Sequence, residues 1–336
     1  MKKSISLLVV LALILAIFAV VGCGGEEVAD DEALTVTVVV SSGFGDNSFN
    51  DSAWAGGEQL AADYGINVKY TECGNEGYKQ KLMDAAEDSE FVVAVGWECY
   101  EIGEVAPEYP DTKFIFVDNP AANIENIPNL LCITYAQNEG SFLAGYIAAN
   151  MSETGVIGAV GGDESAAVND FLTGYEQGAK HANPDIRVEK VTAGSYEDPA
   201  AGSECARALY GRGADVVLNV AGNAGAGIFA AAQELGFYAI GTDADQKLTN
   251  PEYDDVIICS VKKEVGRSIY DMIAAFIDNG TWSGGQVMVS DMATGYLSIA
   301  YGDESSTQQV DDTLKAEADA LAGQIVAGEI TVKTAR

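Results

Sequence analysis

FVVAVGWECYEIGEVAPEYPDTKFIFVD (residues 91–118) carries the clearest fold signal in the chain, because two short apolar runs enclose a helical segment. The runs FVVAV and KFIFV are almost entirely apolar, as are strands of a parallel sheet that is buried on both faces. Such β-rich runs alternate with helical patterns over residues 34–261, in two successive sets. This alternation predicts an α/β protein with two lobes, each a parallel sheet flanked by helices.

The region after the second set indicates how the two lobes are connected. A helical pattern at Val265–Asn279 is followed by QVMVSDMATGYLSIAYG (residues 286–302), which has the pattern of a hairpin-like pair of strands. A tail of this kind after two complete sets predicts that the chain crosses back between the lobes. We expect an N-terminal lobe of residues 34–136 plus about 262–290, and a C-terminal lobe of residues 137–261 plus about 291–330.

Residues 1–22 have the pattern of a secretory signal peptide. Lys2 and Lys3 precede an apolar stretch, and the sequence VVGC then ends at Cys23. This ending resembles a bacterial lipobox, which implies cleavage before Cys23, acylation of its thiol and a flexible acidic tether over residues 23–33. A plain transmembrane anchor is the alternative, since the apolar stretch is just long enough to span a bilayer. The predicted location is the extracytoplasmic face of the cell membrane, either periplasmic or at the cell surface.

Composition argues against several classes of function. The 336-residue chain has a formal net charge of −33, which repels polyanions and argues against nucleic-acid binding. His181 is the single histidine, and the sequence has no CxxC pair, GxSxG elbow or phosphate-binding glycine motif. We therefore predict no metal, no cofactor and no catalysis, with a carboxylate-only hydrolase as the alternative. Five cysteines follow Cys23, and their disulfide pairing is left open: Cys73, Cys99, Cys132, Cys205 and Cys259.

Candidate ligand-binding residues lie just after predicted strands, because open parallel sheets bind ligands beyond the carboxyl ends of their strands. Asp118 and Asp243 directly follow apolar runs, where an unpaired buried carboxylate is costly, and a lysine at 262 or 263 is a candidate partner for either. The other candidates follow the first strand or a glycine-rich turn: Asp46, Phe49, Asn50, Trp54 and Phe229. Aromatic faces can stack on a planar ring, and carboxylates accept hydrogen bonds from N–H groups and vicinal hydroxyls, so this set suits a nucleoside.

Each of these residues also has a purely structural interpretation. Asp46 has the residue type and position of a helix N-cap. Phe49, Trp54 and Phe229 are of a type that packs in cores. Asp118 or Asp243 with a lysine is compatible with a structural ion pair.

Five segments, in order along the chain, resemble the basic membrane lipoprotein family of ABC-transporter substrate-binding proteins, whose studied members bind purine nucleosides. The segments are GDNSFNDSAWAG (45–56), YAQNEGSFLAGYIAA (135–149), GGDESAAVNDFLTGYEQGAK (161–180), GTDADQ (241–246) and SVKKEVG (260–266). The resemblance implies the type I periplasmic-binding-protein fold, a nucleoside ligand, a membrane permease as partner and a lipid anchor. A sugar or a signalling ligand bound by the same fold, for a sensor or another transporter, is the alternative.

The resemblance also implies a role for each candidate residue. Phe49 or Trp54 would sandwich the base with Phe229, while Asp46 and Asn50 would lie near the base edge. The family lysine falls on Lys263, which with Asp243 would hold the ribose hydroxyls. Asp118 would supply a further hydrogen-bond acceptor.

Overall fold

Twelve strands form two six-stranded sheets in the computed structural model, which describes residues 34–335; the predicted signal peptide and Cys23 lie outside this range. In chain order the strands are β1 (Thr35–Val40), β2 (Asn67–Glu72), β3 (Phe91–Val95), β4 (Lys113–Val117), β5 (Leu130–Tyr135), β6 (Val156–Gly161), β7 (Arg187–Thr192), β8 (Val216–Val220), β9 (Tyr238–Asp243), β10 (Ile257–Lys263), β11 (Gln286–Ser290) and β12 (Leu297–Ala300).

Helices cover both sheets. In chain order the helices are α1 (Phe49–Tyr64), α2 (Tyr78–Glu87), α3 (Ile102–Val105), α4 (Gln137–Met151), α5 (Ala166–Ala182), α6 (Pro199–Gly211), α7 (Gly225–Leu235), α8 (Gln246–Thr249), α9 (Val265–Asn279) and α10 (Asp312–Val326). Within residues 34–335, none of them combines the length and the apolar character needed to cross a membrane.

The strand order confirms the predicted α/β class with two sheets. The first sheet has the order β11-β5-β4-β3-β1-β2 and is parallel throughout, and the second has the order β12-β10-β9-β8-β6-β7 with only β12 antiparallel. The central strands β3 and β8 are buried at every position. This is expected for the entirely apolar β3, whereas β8 also buries the polar Asn219. Each sheet therefore has its own core.

The end of the chain differs from the predicted hairpin. β11 pairs with β5 in the first sheet, whereas β12 pairs with β10 in the second, so the two strands do not pair with each other. The residues between β11 and β12 instead carry the chain from one lobe to the other. Residues 286–290 thus lie in the first sheet and residues 297–300 in the second.

In two of the five segments that resemble the family, residues 135–149 and 161–180, a glycine allows two helices to pack closely. A Cβ at Gly145 of α4 would lie 2.0 Å from the carbonyl oxygen of Tyr175, and a Cβ at Gly178 of α5 would lie 1.7 Å from that of Phe142. Only glycine allows the two helix backbones to approach this closely. These glycines hold α4 against α5 and so fix the start of α5, which faces the cavity described below.

Candidate functional site

A cavity of about 250 Å³ lies between the lobes, at the carboxyl ends of the parallel strands. Its lining residues follow β1, β3 and β4 of the first sheet and β8 of the second, and they include the last residues of β9 and β10 and the start of α5. Open parallel sheets bind ligands at this position. Six of the eight predicted ligand-binding residues line the cavity: Asp46, Phe49, Asn50, Asp118, Asp243 and Lys263.

Lys263 is the charged centre of the site. Its Nζ lies 3.1 Å from Asp118 Oδ2 of the first lobe and 3.2 Å from Asp243 Oδ1 of the second, and its side chain is only 2% exposed. Burial lowers the pKa of Lys263, but the two carboxylates outweigh burial and the net pKa is raised. For Asp243 burial is the larger effect, because it raises the pKa by more than Lys263 lowers it. The residue that joins the two lobes is therefore a lysine held in its charged form.

Three aromatic rings surround the same ammonium group. Lys263 Nζ lies 4.5 Å from the ring centroid of Phe49, 5.1 Å from that of Tyr135 and 5.5 Å from that of Phe171. The negative faces of aromatic rings attract a cation at these distances. Phe49 and Phe171 also line the cavity, so a planar apolar wall lies directly beside the charged centre.

The backbone at both carboxylates is strained. Asp118 has φ = 80° and Asp243 has φ = 67°, in the left-handed region that residues other than glycine rarely adopt. Such conformations concentrate where a side chain has to be held in a functional position. Asp118 Oδ1 is buried and accepts no hydrogen bond from the described residues, whereas Asp243 Oδ1 is ion-paired with Lys263 and Asp243 Oδ2 accepts from Ser48 Oγ at 3.4 Å. Because a carboxylate has about four lone-pair positions, both groups retain accepting capacity for a ligand.

Asp46 and Asn50 combine a structural role with a place in the cavity wall. The Asp46 carboxylate accepts hydrogen bonds from the backbone N–H groups of Ser48, Asn50 and Asp51 at 3.0, 2.9 and 3.1 Å, which ties down the start of α1. Burial raises the pKa of Asp46 to about 6, against the lowering effect of these hydrogen bonds. The Asn50 amide nitrogen donates to Ser42 Oγ and to the Gly43 carbonyl, which leaves the amide oxygen as the group that it can offer to a ligand.

The structure places Trp54 and Phe229 away from the cavity, which corrects the predicted position of both. Trp54 is 40% exposed and stacks on Tyr70 with ring centroids 4.9 Å apart, because its side of α1 faces solvent. Phe229 is fully buried in the core of the second lobe, 6.0 Å from the ring of Tyr253. Phe171, rather than Phe229, is the second-lobe phenylalanine at the cavity.

The segment after β3 supplies cavity residues that the sequence analysis missed. Glu98 lines the cavity, and burial raises the pKa of its carboxyl group. A Cβ at Gly96, where φ is 106°, would lie 2.8 Å from Glu98 Oε2, so glycine makes room for this carboxylate. Trp97 Nε1 donates to Asp163 Oδ2 of the other lobe at 3.1 Å. The signal in the sequence for this segment is its position directly after the apolar run FVVAV.

Two further hydrogen bonds join the lobes. Ser48 Oγ donates to the Thr242 carbonyl at 2.9 Å, and Thr249 Oγ1 donates to the Asn47 carbonyl at 2.8 Å. The lobes are therefore joined by these hydrogen bonds as well as by the ion pairs of Lys263. Over residues 34–335 the structure contains no cluster of three histidine, cysteine or acidic side chains suited to a metal ion.

The comparisons with known proteins agree on one family. Residues 33–335 match the Bmp family model, described as ABC transporter substrate-binding protein PnrA-like. The chain is 32% identical over 331 residues to basic membrane protein A of Borreliella burgdorferi, covering 96% of this chain and 95% of that protein. It is 30% identical over 326 residues to the ABC transporter nucleoside-binding protein BmpA of Lactococcus lactis, covering 90% and 91%.

Solved structures agree on the fold. A solute-binding protein of an ABC transporter system from Aeropyrum pernix superposes with a TM-score of 0.80 at 24% identity, covering 90% of this chain and 94% of that one. A second, from Conexibacter woesei, gives 0.72 at 25% identity, covering 90% and 99%. With the two lobes and the cavity between them, these matches confirm the resemblance found in the sequence: the chain belongs to the Bmp family of PnrA-like ABC-transporter substrate-binding proteins.

Proposed function

We propose that this protein captures a nucleoside, with purines favoured, in the cavity between its lobes and delivers it to an ABC-transporter permease. The observation that carries the proposal is the arrangement of Asp118 and Asp243, one from each lobe, on the buried Lys263. The remaining cavity residues fit the same ligand.

The charged centre suits the vicinal hydroxyls of a ribose. Asp118 Oδ1 accepts no hydrogen bond from the described residues, the Asp243 carboxylate has lone pairs beyond its contacts with Lys263 and Ser48, and the lysine ammonium is a hydrogen-bond donor. A pair of hydroxyls can donate to both carboxylates and accept from Lys263. Because Asp118 and Asp243 belong to different lobes, such a ligand favours the closed arrangement over an open one.

The other part of the cavity suits a planar base. Phe49 and Phe171 provide apolar ring surface and are the proposed aromatic contacts of the base. Trp54 and Phe229, which the sequence also suggested for this role, do not line the cavity. Asp46 and Asn50 supply acceptor oxygens for ring N–H or amino groups. Purines are favoured because a larger ring system buries more surface against the two phenylalanines.

The charge balance of the cavity argues against phosphorylated ligands. Among the described residues that line it, Lys263 is the only cation, and it already faces two carboxylates. Five acidic residues share the lining: Asp46, Glu98, Asp118, Glu197 and Asp243. A phosphate would meet repulsion and no arginine fork, so we propose that nucleosides bind and their monophosphates are rejected.

The names of relatives support this ligand and a membrane location. The Lactococcus lactis relative is named a nucleoside-binding protein, and several others are named basic membrane proteins. We propose that acylation of Cys23 anchors the protein at the extracytoplasmic face of the membrane. Metabolic labelling with a radioactive fatty acid tests this, since Cys23→Ala abolishes the label if the proposal is right and leaves it unchanged if it is wrong.

Calorimetric titration of residues 24–336 tests the ligand. Adenosine, guanosine, inosine, cytidine, uridine, ribose, glucose and the nucleoside monophosphates form the panel, with protein first unfolded and refolded to remove carried-over ligand. We expect one-to-one binding of a purine nucleoside, lost in Asp243→Asn and kept in Asp245→Asn. Binding of a sugar alone, or no heat from any nucleoside with folded protein, contradicts the proposal.

A further inference from the structure

Glu98 lies on the cavity wall of the first lobe, in the short turn that follows β3. An ideal Cβ at Gly96 would lie 2.6 Å from Ser41 Oγ and 2.8 Å from Glu98 Oε2, so the Glu98 side chain folds back over Gly96 toward the Ser41 hydroxyl. Only glycine leaves space for a carboxylate here, and other residues rarely adopt its φ of 106°. The turn therefore places the Glu98 carboxylate at the carboxyl ends of the strands.

Strand register fixes the position of this carboxylate along the cavity. β3 lies between β4 and β1 in the sheet, and the last residues of the three strands lie opposite one another. The next residues are therefore level, with Gly96 between Asp118 on one side and Ser41 on the other. Because neighbouring strands are about 4.8 Å apart, the carboxylate over Gly96 lies roughly one strand spacing from the backbone of Asp118.

Hydrogen bonds within the turn and across the lobes hold Glu98 in place. The Cys99 N–H donates to the Gly96 carbonyl at 3.1 Å, which closes the turn around Glu98. Trp97, the residue before Glu98, donates from Nε1 to Asp163 Oδ2 of the second lobe at 3.1 Å. Contact between the lobes thus fixes the segment that carries this carboxylate, as a group that selects among ligands requires.

The charges around Glu98 leave it in need of a hydrogen-bond donor. Burial raises the pKa of Glu98, and the negative charges of Asp163 and Asp118 raise it further. Lys263 is the only cation among the described residues that line the cavity, and its Nζ already contacts Asp118 and Asp243. A carboxylate that is partly withdrawn from water and has no cation beside it requires donors from elsewhere, and a ligand hydroxyl can supply one.

The chemistry of a nucleoside identifies that hydroxyl. Its hydrogen-bond donors are the three ribose hydroxyls and the N–H groups at the far edge of the base. The vicinal hydroxyls are assigned to Asp118 and Asp243, and the base edge is assigned to Asp46 and Asn50. The purine atoms nearest to the ribose offer no N–H group to a carboxylate. The remaining donor is the 5′-hydroxyl, which is carried on the ring carbon next to that of the 3′-hydroxyl and so lies near the Asp118 end of the cavity.

We propose that Glu98 accepts a hydrogen bond from the 5′-hydroxyl of the bound nucleoside and is the residue that excludes 5′-phosphates. This inference rests on the proposed nucleoside function and assigns the third ribose hydroxyl to the first lobe. A 5′-phosphate carries about −1.5 to −2 charges at pH 7, which the Glu98 carboxylate would repel. A ligand without the 5′-hydroxyl would leave Glu98 without its donor, which weakens binding.

Calorimetric titration with matched ligands tests the hydrogen bond. The tightest purine nucleoside is compared with its 5′-deoxy analogue on the wild type, on Glu98→Ala and on Glu101→Gln, which changes a carboxylate outside the cavity three residues further on. We expect loss of the hydroxyl to weaken binding about tenfold in the wild type and in Glu101→Gln, but less than about threefold in Glu98→Ala. An equal loss in the wild type and Glu98→Ala overturns the proposal.

The 5′-monophosphate of the same nucleoside supplies the second readout, by competition against the nucleoside. Glu98→Gln keeps the size of the side chain and removes its charge, so we expect it to bind the monophosphate about tenfold more tightly than the wild type does, with no change in Glu101→Gln. Unchanged monophosphate affinity in Glu98→Gln contradicts the assigned exclusion. Failure of the wild type to bind any nucleoside overturns the proposed function, whereas nucleoside binding that is indifferent to the 5′-hydroxyl overturns only the role of Glu98.

Discussion

Replacing Lys263 by methionine is expected to lower the free energy of unfolding by about 3–5 kcal/mol at pH 7. Methionine has a similar length but no charge, so Asp118 and Asp243 lose the ammonium that lies 3.1 and 3.2 Å away. Their side chains are only 11% and 12% exposed, so solvent cannot replace the lost partner. Removing one member of a buried ion pair has a cost of this size because the remaining charge is left uncompensated.

The loss of unfolding free energy in Lys263→Met is expected to depend on pH. Burial raises the pKa of Asp243 and Lys263 counteracts this, so the pKa of Asp243 rises further in Lys263→Met. A carboxyl group with a raised pKa in the folded state favours folding when protonated, and that contribution is lost as pH rises through the folded pKa. The deficit of Lys263→Met is therefore largest above the raised pKa of Asp243 and shrinks as the pH falls through that pKa toward its ordinary value of 3.8. The raised pKa of Lys263 itself acts only above its unfolded value near 10.5, outside this window.

Chemical unfolding followed by tryptophan fluorescence measures the change, and the neighbouring residue provides the control. Lys262 is 37% exposed and pairs with Glu264 at 2.7 Å, so Lys262→Met is expected to cost about 1 kcal/mol or less. Adding Asp118→Asn to Lys263→Met should recover part of the loss. Equal small effects of Lys262→Met and Lys263→Met would refute the argument that a buried ion network joins the lobes.

Three further predictions concern binding of the tightest nucleoside. Burial raises the pKa of Asp46 to about 6, so the ionised carboxylate that accepts hydrogen bonds is depleted below that pH. Affinity measured by calorimetry should therefore be about tenfold weaker at pH 5 than at pH 7, and it should not depend on pH in Asp46→Asn. Phe49→Ala should weaken binding about tenfold or more, because Phe49 lines the cavity. Phe229→Ala should lower the free energy of unfolding by about 3–5 kcal/mol with little change in affinity, because Phe229 is buried in the core. A larger loss of affinity in Phe229→Ala than in Phe49→Ala would contradict that placement. Trp97→Phe removes the donor to Asp163 and should speed ligand dissociation about threefold in stopped-flow measurements, where an unchanged rate contradicts a role in closure.

The sequence was most informative about the edge of the sheet at which the ligand-binding residues lie. Asp118 and Lys263 are 145 positions apart, yet both lie at the carboxyl ends of parallel strands and the fold brings them into contact. That rule follows from parallel-sheet geometry and does not depend on local detail. It applies equally to Glu98, which lies three residues after the end of β3 and lines the cavity.

Side-chain direction was less predictable than position along the chain. Trp54 lies one helical turn after Asn50, yet Asn50 is buried in the cavity wall and Trp54 faces outward onto Tyr70. A spacing of four residues places two side chains near one another, but the helix orientation that decides which one enters the cavity depends on tertiary packing. For the same reason Phe229 was placed at the cavity and Phe171 was not.

The separation of β11 from β12 has a similar origin. Two short β-rich runs joined by a turn-like segment are compatible with a hairpin or with two edge strands in different sheets. Here β5 and β10 both offer an edge, and each binds one of the two strands. The choice depends on the distance between these edges, which local sequence does not encode.

A crystal structure of the protein with the tightest purine nucleoside would test the proposed binding mode. We expect the base against Phe49 and Phe171, and ribose hydroxyl oxygens at about 3 Å from the carboxylates of Asp118 and Asp243. A nucleoside bound with its ribose away from Lys263, or bound outside the cavity between the lobes, would contradict the account.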